Sequence, residues 1–351
     1  MSGERVPLDG DLLGSIMRDR VVVICEAGVT NYGDPALAAR QVDVAGDSGS
    51  DAVKFQAWKT ENLISKPVAE RLSGELGWNW FDRMASRELS EAELLALQER
   101  AVGRGLLFFA TPHDDASLDF LADELDAPCL KIGSGEASNW RFLRRVAAAR
   151  KPVMIAFGLQ DDDEARRAVE LLREAGAPEV IAFHTVSVYP TPPELAALDR
   201  IPRLAELLDV PIGISDHTVG WHIPLAAVAL GARAVEKHLT FDKTDPRSLD
   251  NPGALEPREF AEMTRQIREL ERALRPPPED DERITAARDW ALQAVVAARA
   301  LPEHHVLEAA DLAFKRPARG GLPASEVERI LGRRLCRAIE LDEQIKLDDV
   351  D

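Results

Sequence analysis

Pro211–Thr240, PIGISDHTVGWHIPLAAVALGARAVEKHLT, holds two short apolar runs that end in polar residues, Pro211 to His217 and Ala234 to Thr240. Between them, Trp221 to Leu230 reads as an amphipathic helix. The pattern is strand, helix, strand. Parallel strands joined by a crossover helix open their carboxyl ends onto one shared face, so Ser215, Asp216, His217, Glu236, Lys237 and His238 are expected to crowd together there. Two imidazoles at equivalent strand ends beside carboxylates suit a divalent cation; the alternative is a pair of buried, hydrogen-bonded histidines.

Upstream of this unit, strand-like runs alternate with helical patterns: VVVICEAG at 21–28, AVKFQ at 52–56, LLFFATP at 106–112, CLKIGS at 129–134, VMIAFG at 153–158 and VIAFHT at 180–185. With the two strands already read, this predicts an α/β chain folded as a (β/α)8 TIM barrel. An open doubly wound sheet is the alternative, but it would normally carry a Gly-rich phosphate loop after its first strand, and GVTNYG at 28–33 is not one. Residues 163–176 have apolar positions at helical spacing and stop at a glycine. Leu63 to Ser90, with Trp78, Trp80 and Phe81, reads as a long irregular connection, either a substrate lid or a packed surface loop. The barrel pattern ends in a helix near Glu259 to Leu274, giving a catalytic domain over residues 1–275. RPPPEDDER then marks a linker at 276–287, and residues 288–351 form a small second domain.

The chain has 351 residues, is 45% hydrophobic and carries a net charge of -18. Such acidity argues against a nucleic-acid backbone or an anionic membrane as partner, although an anion pocket can still be locally basic. Cys25, Cys129 and Cys336 are odd in number and lack metal-ligand spacing, which predicts reduced core thiols in a cytoplasmic protein. The N-terminal MSGERVPLDGDLLGSIMRDR has no basic segment followed by a long apolar run, and no stretch approaches a membrane span.

At the predicted strand ends stand Glu26; Lys54 and Gln56; Thr111; Lys131, Ser134 and Glu136; Ser187 and Tyr189; and the two histidine triplets. Two lysines with hydroxyls around one barrel mouth form a cradle for a phosphorylated, carboxylated small molecule, because its charge must be met by fixed cations and donors. Such an anion beside a histidine-bound cation suggests Lewis-acid activation of a carbonyl. Residue types alone therefore point to a metal-dependent aldol or phosphate-cleaving enzyme.

Taken in order, Glu26-Ala-Gly, Asp51-Ala-Val-Lys-Phe-Gln56, Ala110-Thr-Pro, Lys131-Ile-Gly-Ser-Gly-Glu136, Tyr189-Pro-Thr-Pro-Pro193, Ser215-Asp-His-Thr218 and Glu236-Lys-His238 resemble the successive motifs of the sialic acid (N-acetylneuraminate) synthase family. Ala297-Ala-Arg299 and Phe314-Lys-Arg-Pro317 resemble its C-terminal SAF, or antifreeze-like, domain. The resemblance implies condensation of phosphoenolpyruvate with the open-chain aldehyde of an N-acylated hexosamine, and a requirement for manganese or magnesium. By position it gives His217 and His238 to the metal, and Lys54, Thr111, Lys131, Ser134 and Ser215 to phosphoenolpyruvate. Glu26, Gln56, Glu136, Tyr189 and Asp250 would face the sugar, with Glu26 also handling protons or the attacking water. It further implies a domain-swapped homodimer in which the small domain closes the partner's site. The alternatives are the same chemistry on a different aldehyde and a non-catalytic homologue.

The chain departs from the family pattern at four places. Thr30-Asn31-Tyr32-Gly33 stands for Asn-His-Asn-Gly, Asp250-Asn251 for Asp-His, and Ser187 for an asparagine. Leu292-Gln293-Ala294 stands for an Arg-Arg-Ser run whose arginine meets the sugar's N-acyl group. A glutamine can hydrogen-bond an amide but lacks the charged fork of an arginine. The departures fall on residues that would recognise the far end of the acceptor, Gln293 among them.

Overall fold

A computed structural model describes residues 20–279 and 281–351. They separate into two compact units, one ending at Leu274 and one running from Arg275 to Asp351.

In the first unit, eight parallel strands, β1 (Val22–Glu26), β2 (Ala52–Ala57), β3 (Leu107–Pro112), β4 (Leu130–Ile132), β5 (Val153–Phe157), β6 (Val180–Thr185), β7 (Ile212–Asp216) and β8 (Ala234–His238), alternate with helices. The hydrogen-bonded order is β3-β2-β1-β8-β7-β6-β5-β4, so first and last strands pair, while β3 and β4 pack side by side where the ladder is open. This is the expected (β/α)8 barrel. Every residue of β1, β3, β5, β6, β7 and β8 is buried, as a sheet covered by helices outside and filled within requires. Each predicted strand lies where the sequence put it, its ends shifted by at most two residues.

The helices dock by narrow apolar stripes. Helix Pro257–Ala273 buries Phe260, Met263, Thr264 and Ile267 at helical spacing. Helix Asp162–Glu174 buries Ala165, Ala168, Val169 and Leu172, and its start is fixed by a reciprocal cap between Asp161 and Glu164. Helix His222–Ala229 differs from the amphipathic reading: HIPLAAVA has no charged side to set against its apolar one.

The connection after β2 is a second correction. It is helical rather than irregular, with helices Thr60–Leu63, Lys66–Leu76 and Trp80–Ala85. Gly77, in the left-handed region at φ 74°, ends the longest of them, and Asn79 caps the next by accepting from the Phe81 N–H.

The second unit is built on the antiparallel pair β9 (Ala294–Ala297) and β10 (Leu312–Lys315). Its own small core includes Val295, Leu301, Leu307, Ile330, Ile339 and Ile345. Helix Glu282–Ala291 lies partly in the stretch expected to be linker and belongs to this unit. Cys25 and Cys129 are buried and free, as expected of core thiols, whereas Cys336 is exposed. Among the described residues, no helix is long and apolar enough to cross a membrane.

Candidate active site

Strand geometry sorts the polar residues at the barrel mouth. Side chains alternate between faces along a strand, so Glu236 and His238 of β8 point into the barrel while Lys237 between them points out. Ser215 and His217 likewise point in and Asp216 out. Lys237, fully buried, pairs with Asp216 and donates to the Thr218 carbonyl on the helix side. Asp216 and Lys237 therefore do not join the others at the mouth, contrary to expectation; a period of two excludes adjacent residues from one face.

The inward set lines a cavity of about 400 Å³. Glu26, Lys54, Gln56, Thr111, Lys131, Ser134, Glu136, Ser187, Tyr189, Ser215, His217, His238 and Asp250 all reach it. Gln293 belongs to the second unit, where its side-chain amide donates to the Phe314 carbonyl at 3.2 Å.

On the cavity floor, two lysines are held by two carboxylates. Glu236 takes Lys131 Nζ at 2.7 Å on one oxygen, and on the other accepts from Ser215 Oγ at 2.8 Å, with Lys54 Nζ 3.7 Å away. Lys54 also stands 2.9 Å from Glu26 and donates to Thr111 Oγ1 at 3.1 Å, and Gln56 donates to the second Glu26 oxygen at 2.9 Å. The register sets this up directly: Glu26 sits opposite Lys54 on one side and His238 on the other, and Ser215 opposite Glu236. Burial raises the Glu236 pKa, but Lys131 and Lys54 outweigh it and hold the carboxyl below its ordinary range. Burial lowers the Lys54 pKa, yet Glu236 and Glu26 together leave it raised. At Lys131 burial wins, against Glu236, and the pKa is lowered. The Lys131 ammonium also lies 4.5 Å from the Phe183 ring centroid.

On the rim, the His217 and His238 ring centroids are 5.4 Å apart, with the Tyr189 ring 4.1 Å from His217. His217 Nδ1 lies 2.9 Å from the Val186 carbonyl, an acceptor, so that nitrogen carries the proton and Nε2 keeps its lone pair. Burial, then His238, push the His217 pKa down to about 3, so the ring is neutral. His238 Nδ1 is buried without a hydrogen-bond partner, 3.9 Å from the Asp250 carboxylate. Gly28, at φ +51°, makes room for it: a Cβ there would meet His238 Nδ1 at 3.0 Å. The free lone pair of His217 and the partnerless Nδ1 of His238 fit a divalent cation that takes its remaining ligands from water and substrate. Among the described residues, no cluster of three or more His, Cys, Asp or Glu could hold a metal by itself.

On the opposite wall, Ser134 Oγ accepts from the Gly158 N–H at 2.8 Å, and a Cβ at residue 158 would strike Ser187 Oγ at 2.5 Å. Glu136 is paired with His113 Nδ1 at 2.9 Å. Glu236 was expected on this face but given no role, and His113 was not singled out from the sequence. The spacing of Glu236, two residues before His238, puts it on the same face as the histidine; His113 follows β3 and carries no such signal.

Residues 41–277 match the NeuB family and residues 293–351 the SAF domain. The chain belongs to the NeuB family. This NeuB chain, an enzyme with a C-terminal SAF domain, is 33% identical to the N,N'-diacetyllegionaminic acid synthase of Legionella pneumophila, the match covering 89% of this chain and 90% of that one. It is 32% identical to the N-acetylneuraminate-9-phosphate synthase of Homo sapiens, covering 94% and 92%. Among solved structures, N-acetylneuraminic acid synthetase from Leptospira borgpetersenii serovar Hardjo-bovis aligns with a TM-score of 0.67 at 33% identity, covering 76% of this chain and 91% of that one.

Proposed function

We propose that the protein condenses phosphoenolpyruvate with the open-chain aldehyde of an N-acylated hexosamine, such as N-acetylmannosamine or a diacetamido relative, giving a nonulosonic 2-keto acid and inorganic phosphate. The observation that carries this reading is the convergence of buried Lys54 and Lys131, with the hydroxyls of Thr111, Ser134 and Ser215, on the cavity that holds the paired imidazoles. Two fixed cations and several donors answer the charge of phosphoenolpyruvate.

C3 of phosphoenolpyruvate forms a bond to the aldehyde carbon, water adds at C2, and the C2–O bond to phosphate breaks. Lys54 and Lys131 hold the phosphate and carboxylate through the reaction, while Gln56, Tyr189 and Asp250 orient the acceptor. Glu26, on the cavity floor beside Lys54 and Gln56, would move a proton at the water or the new hydroxyl. His217 and His238 would hold manganese or magnesium, whose Lewis acidity polarises the aldehyde oxygen when bound.

The protein acts in the cytoplasm as a domain-swapped homodimer, the SAF domain of one subunit closing the other's cavity with residues near Gln293. The relatives' names differ on whether the product carries a phosphate: the human one ends in 9-phosphate, the Legionella one does not. Residues outside the shared set must decide between these acceptors. Phosphate release from phosphoenolpyruvate, measured over a panel of amino sugars and simple aldehydes with and without manganese, tests the proposal. No release with any acceptor would sink it.

A further inference from the structure

A second cavity, of about 480 Å³, opens on the same barrel face. Tyr32 reaches it from the loop after β1, Trp78, Arg83 and Arg87 from the excursion after β2, and Arg247 from the loop after β8. It adjoins the first. Met84 lines the main cavity while Arg83 lines this one, and Asp250 faces the main cavity while its neighbour Asn251 donates to Tyr32 Oη at 2.8 Å.

The local charge reverses that of the chain, which is -18 overall. Arg247 is paired with Asp245 at 2.6 Å and lies 3.8 Å from the Tyr32 ring centroid. The Arg83 guanidinium stands 4.3 Å from the Trp78 centroid. Arg83 and Arg87 both donate to the Arg247 carbonyl oxygen, and among the described residues neither is ion-paired with a carboxylate. Arg87 is only 7% exposed. Its pKa is held down by burial first and by Arg83 next, with Asp250 acting the other way from beyond ion-pair reach.

A desolvated guanidinium without a counter-charge costs free energy, and a protein that keeps Arg87 so, with the half-buried Arg83 beside it on one cavity, is prepared for an anion. Each guanidinium has five N–H donors, and the shared carbonyl uses one from each. The unspent donors suit a tetrahedral dianion, which accepts forked pairs from more than one side, better than a single carboxylate.

We propose that Arg83, Arg87 and Arg247, walled by Tyr32 and Trp78, form an acceptor subsite for a phosphomonoester on the carbon farthest from the reacting aldehyde. The proposal rests on the reading of the main cavity as the condensation site: an acceptor with its aldehyde at the histidines runs past Asp250 into the arginines. Free inorganic phosphate has the same chemistry, and the test separates the two.

The full-length protein is assayed for phosphoenolpyruvate consumption with N-acetylmannosamine and with its 6-phosphate. Expected is a kcat/KM at least tenfold higher for the 6-phosphate, a preference that falls at least tenfold in Arg87→Met and partly in Arg83→Met. The half-buried Arg83 carries the test should Arg87→Met not fold. Equal kcat/KM for the two sugars, or a preference untouched in the variants, overturns the subsite. If neither sugar consumes phosphoenolpyruvate, the condensation reading fails, and calorimetry decides the subsite separately. Binding of the sugar phosphate more tightly than inorganic phosphate, weakened in Arg83→Met, upholds it. Absence of that binding, or equal binding of the free anion, overturns it.

Discussion

Glu236 is the shared counterion of both cavity-floor lysines, and its replacement by glutamine separates stability from substrate binding. The carboxylate lies 2.7 Å from Lys131 Nζ and 3.7 Å from Lys54 Nζ, and all three side chains are nearly inaccessible to water. Removing one partner of such a buried group leaves uncompensated charge and typically costs about 3–5 kcal/mol. Glutamine keeps the shape and can still accept from Ser215, so the expected loss for Glu236→Gln is about 3 kcal/mol, a large part of the roughly 5–15 kcal/mol that holds a domain folded. The midpoint of urea unfolding reads it.

The same variant has a pH signature. The folded Glu236 pKa lies below its ordinary value of 4.5, so on acidification the unfolded chain takes up the proton first. The carboxylate's contribution is thus fully present above 4.5 and is lost as pH falls through the lower folded value; the stability curve of Glu236→Gln should be flatter below pH 4.5. Phosphoenolpyruvate, by supplying the missing negative charge, should raise the unfolding midpoint of the variant more than that of the parent. A variant with the parent's midpoint and the parent's acid slope would refute the counterion argument.

Lys131→Met should weaken phosphoenolpyruvate binding about 10- to 150-fold by calorimetry, the loss of one charge-assisted contact of about 1.5–3 kcal/mol. His217→Ala and His238→Ala should each abolish metal-dependent turnover and manganese binding while leaving circular dichroism unchanged; full activity in a chelator would end the assignment. His113→Phe removes the partner of Glu136, 2.9 Å away, and should raise the acceptor KM severalfold with little change in that for phosphoenolpyruvate; equal effects on both place Glu136 elsewhere in the reaction. Gln293→Arg should improve turnover of N-acetylmannosamine if residue 293 meets the acceptor's N-acyl group in a homodimer, and sedimentation showing only monomer would remove the basis of that expectation.

The barrel was legible because each strand is a short, mostly apolar run that turns polar toward the mouth, and the cavity residues are the polar positions there. VVICE stopping at Glu26 and AVKFQ carrying Lys54 and Gln56 on one face show how little beyond alternation is needed. The same rule, applied to SDH and EKH, would have turned Asp216 and Lys237 outward. What the sequence hides is contact between loops. Arg83 and Arg87 come from a helical excursion that read as irregular, Arg247 from a loop far along the chain, and only the closed barrel brings them to one carbonyl. Where β1 pairs β8, residues more than two hundred positions apart become neighbours, and no local pattern records it.

Charge assigns the two cavity-floor carboxylates different work. Lys54 and Lys131 balance Glu26 and Glu236, so the floor is neutral before a ligand arrives. In the proposed reaction a trianionic phosphoenolpyruvate would upset that balance, and a divalent cation at the histidines would offset only part of it. A carboxylate that can accept a proton restores more, because protonation is favoured where negative charge accumulates. Glu236 is poorly suited, being held by two ammonium groups and the Ser215 hydroxyl. Glu26 has one oxygen held by Gln56 and the other paired with Lys54 alone, at 2.9 Å. In the proposed reaction a base is needed for the water that adds at C2, and the cavity-floor carboxylate with fewer partners is the one placed to supply it. In the proposed reaction Glu236 would keep the lysines charged and Glu26 would move the proton.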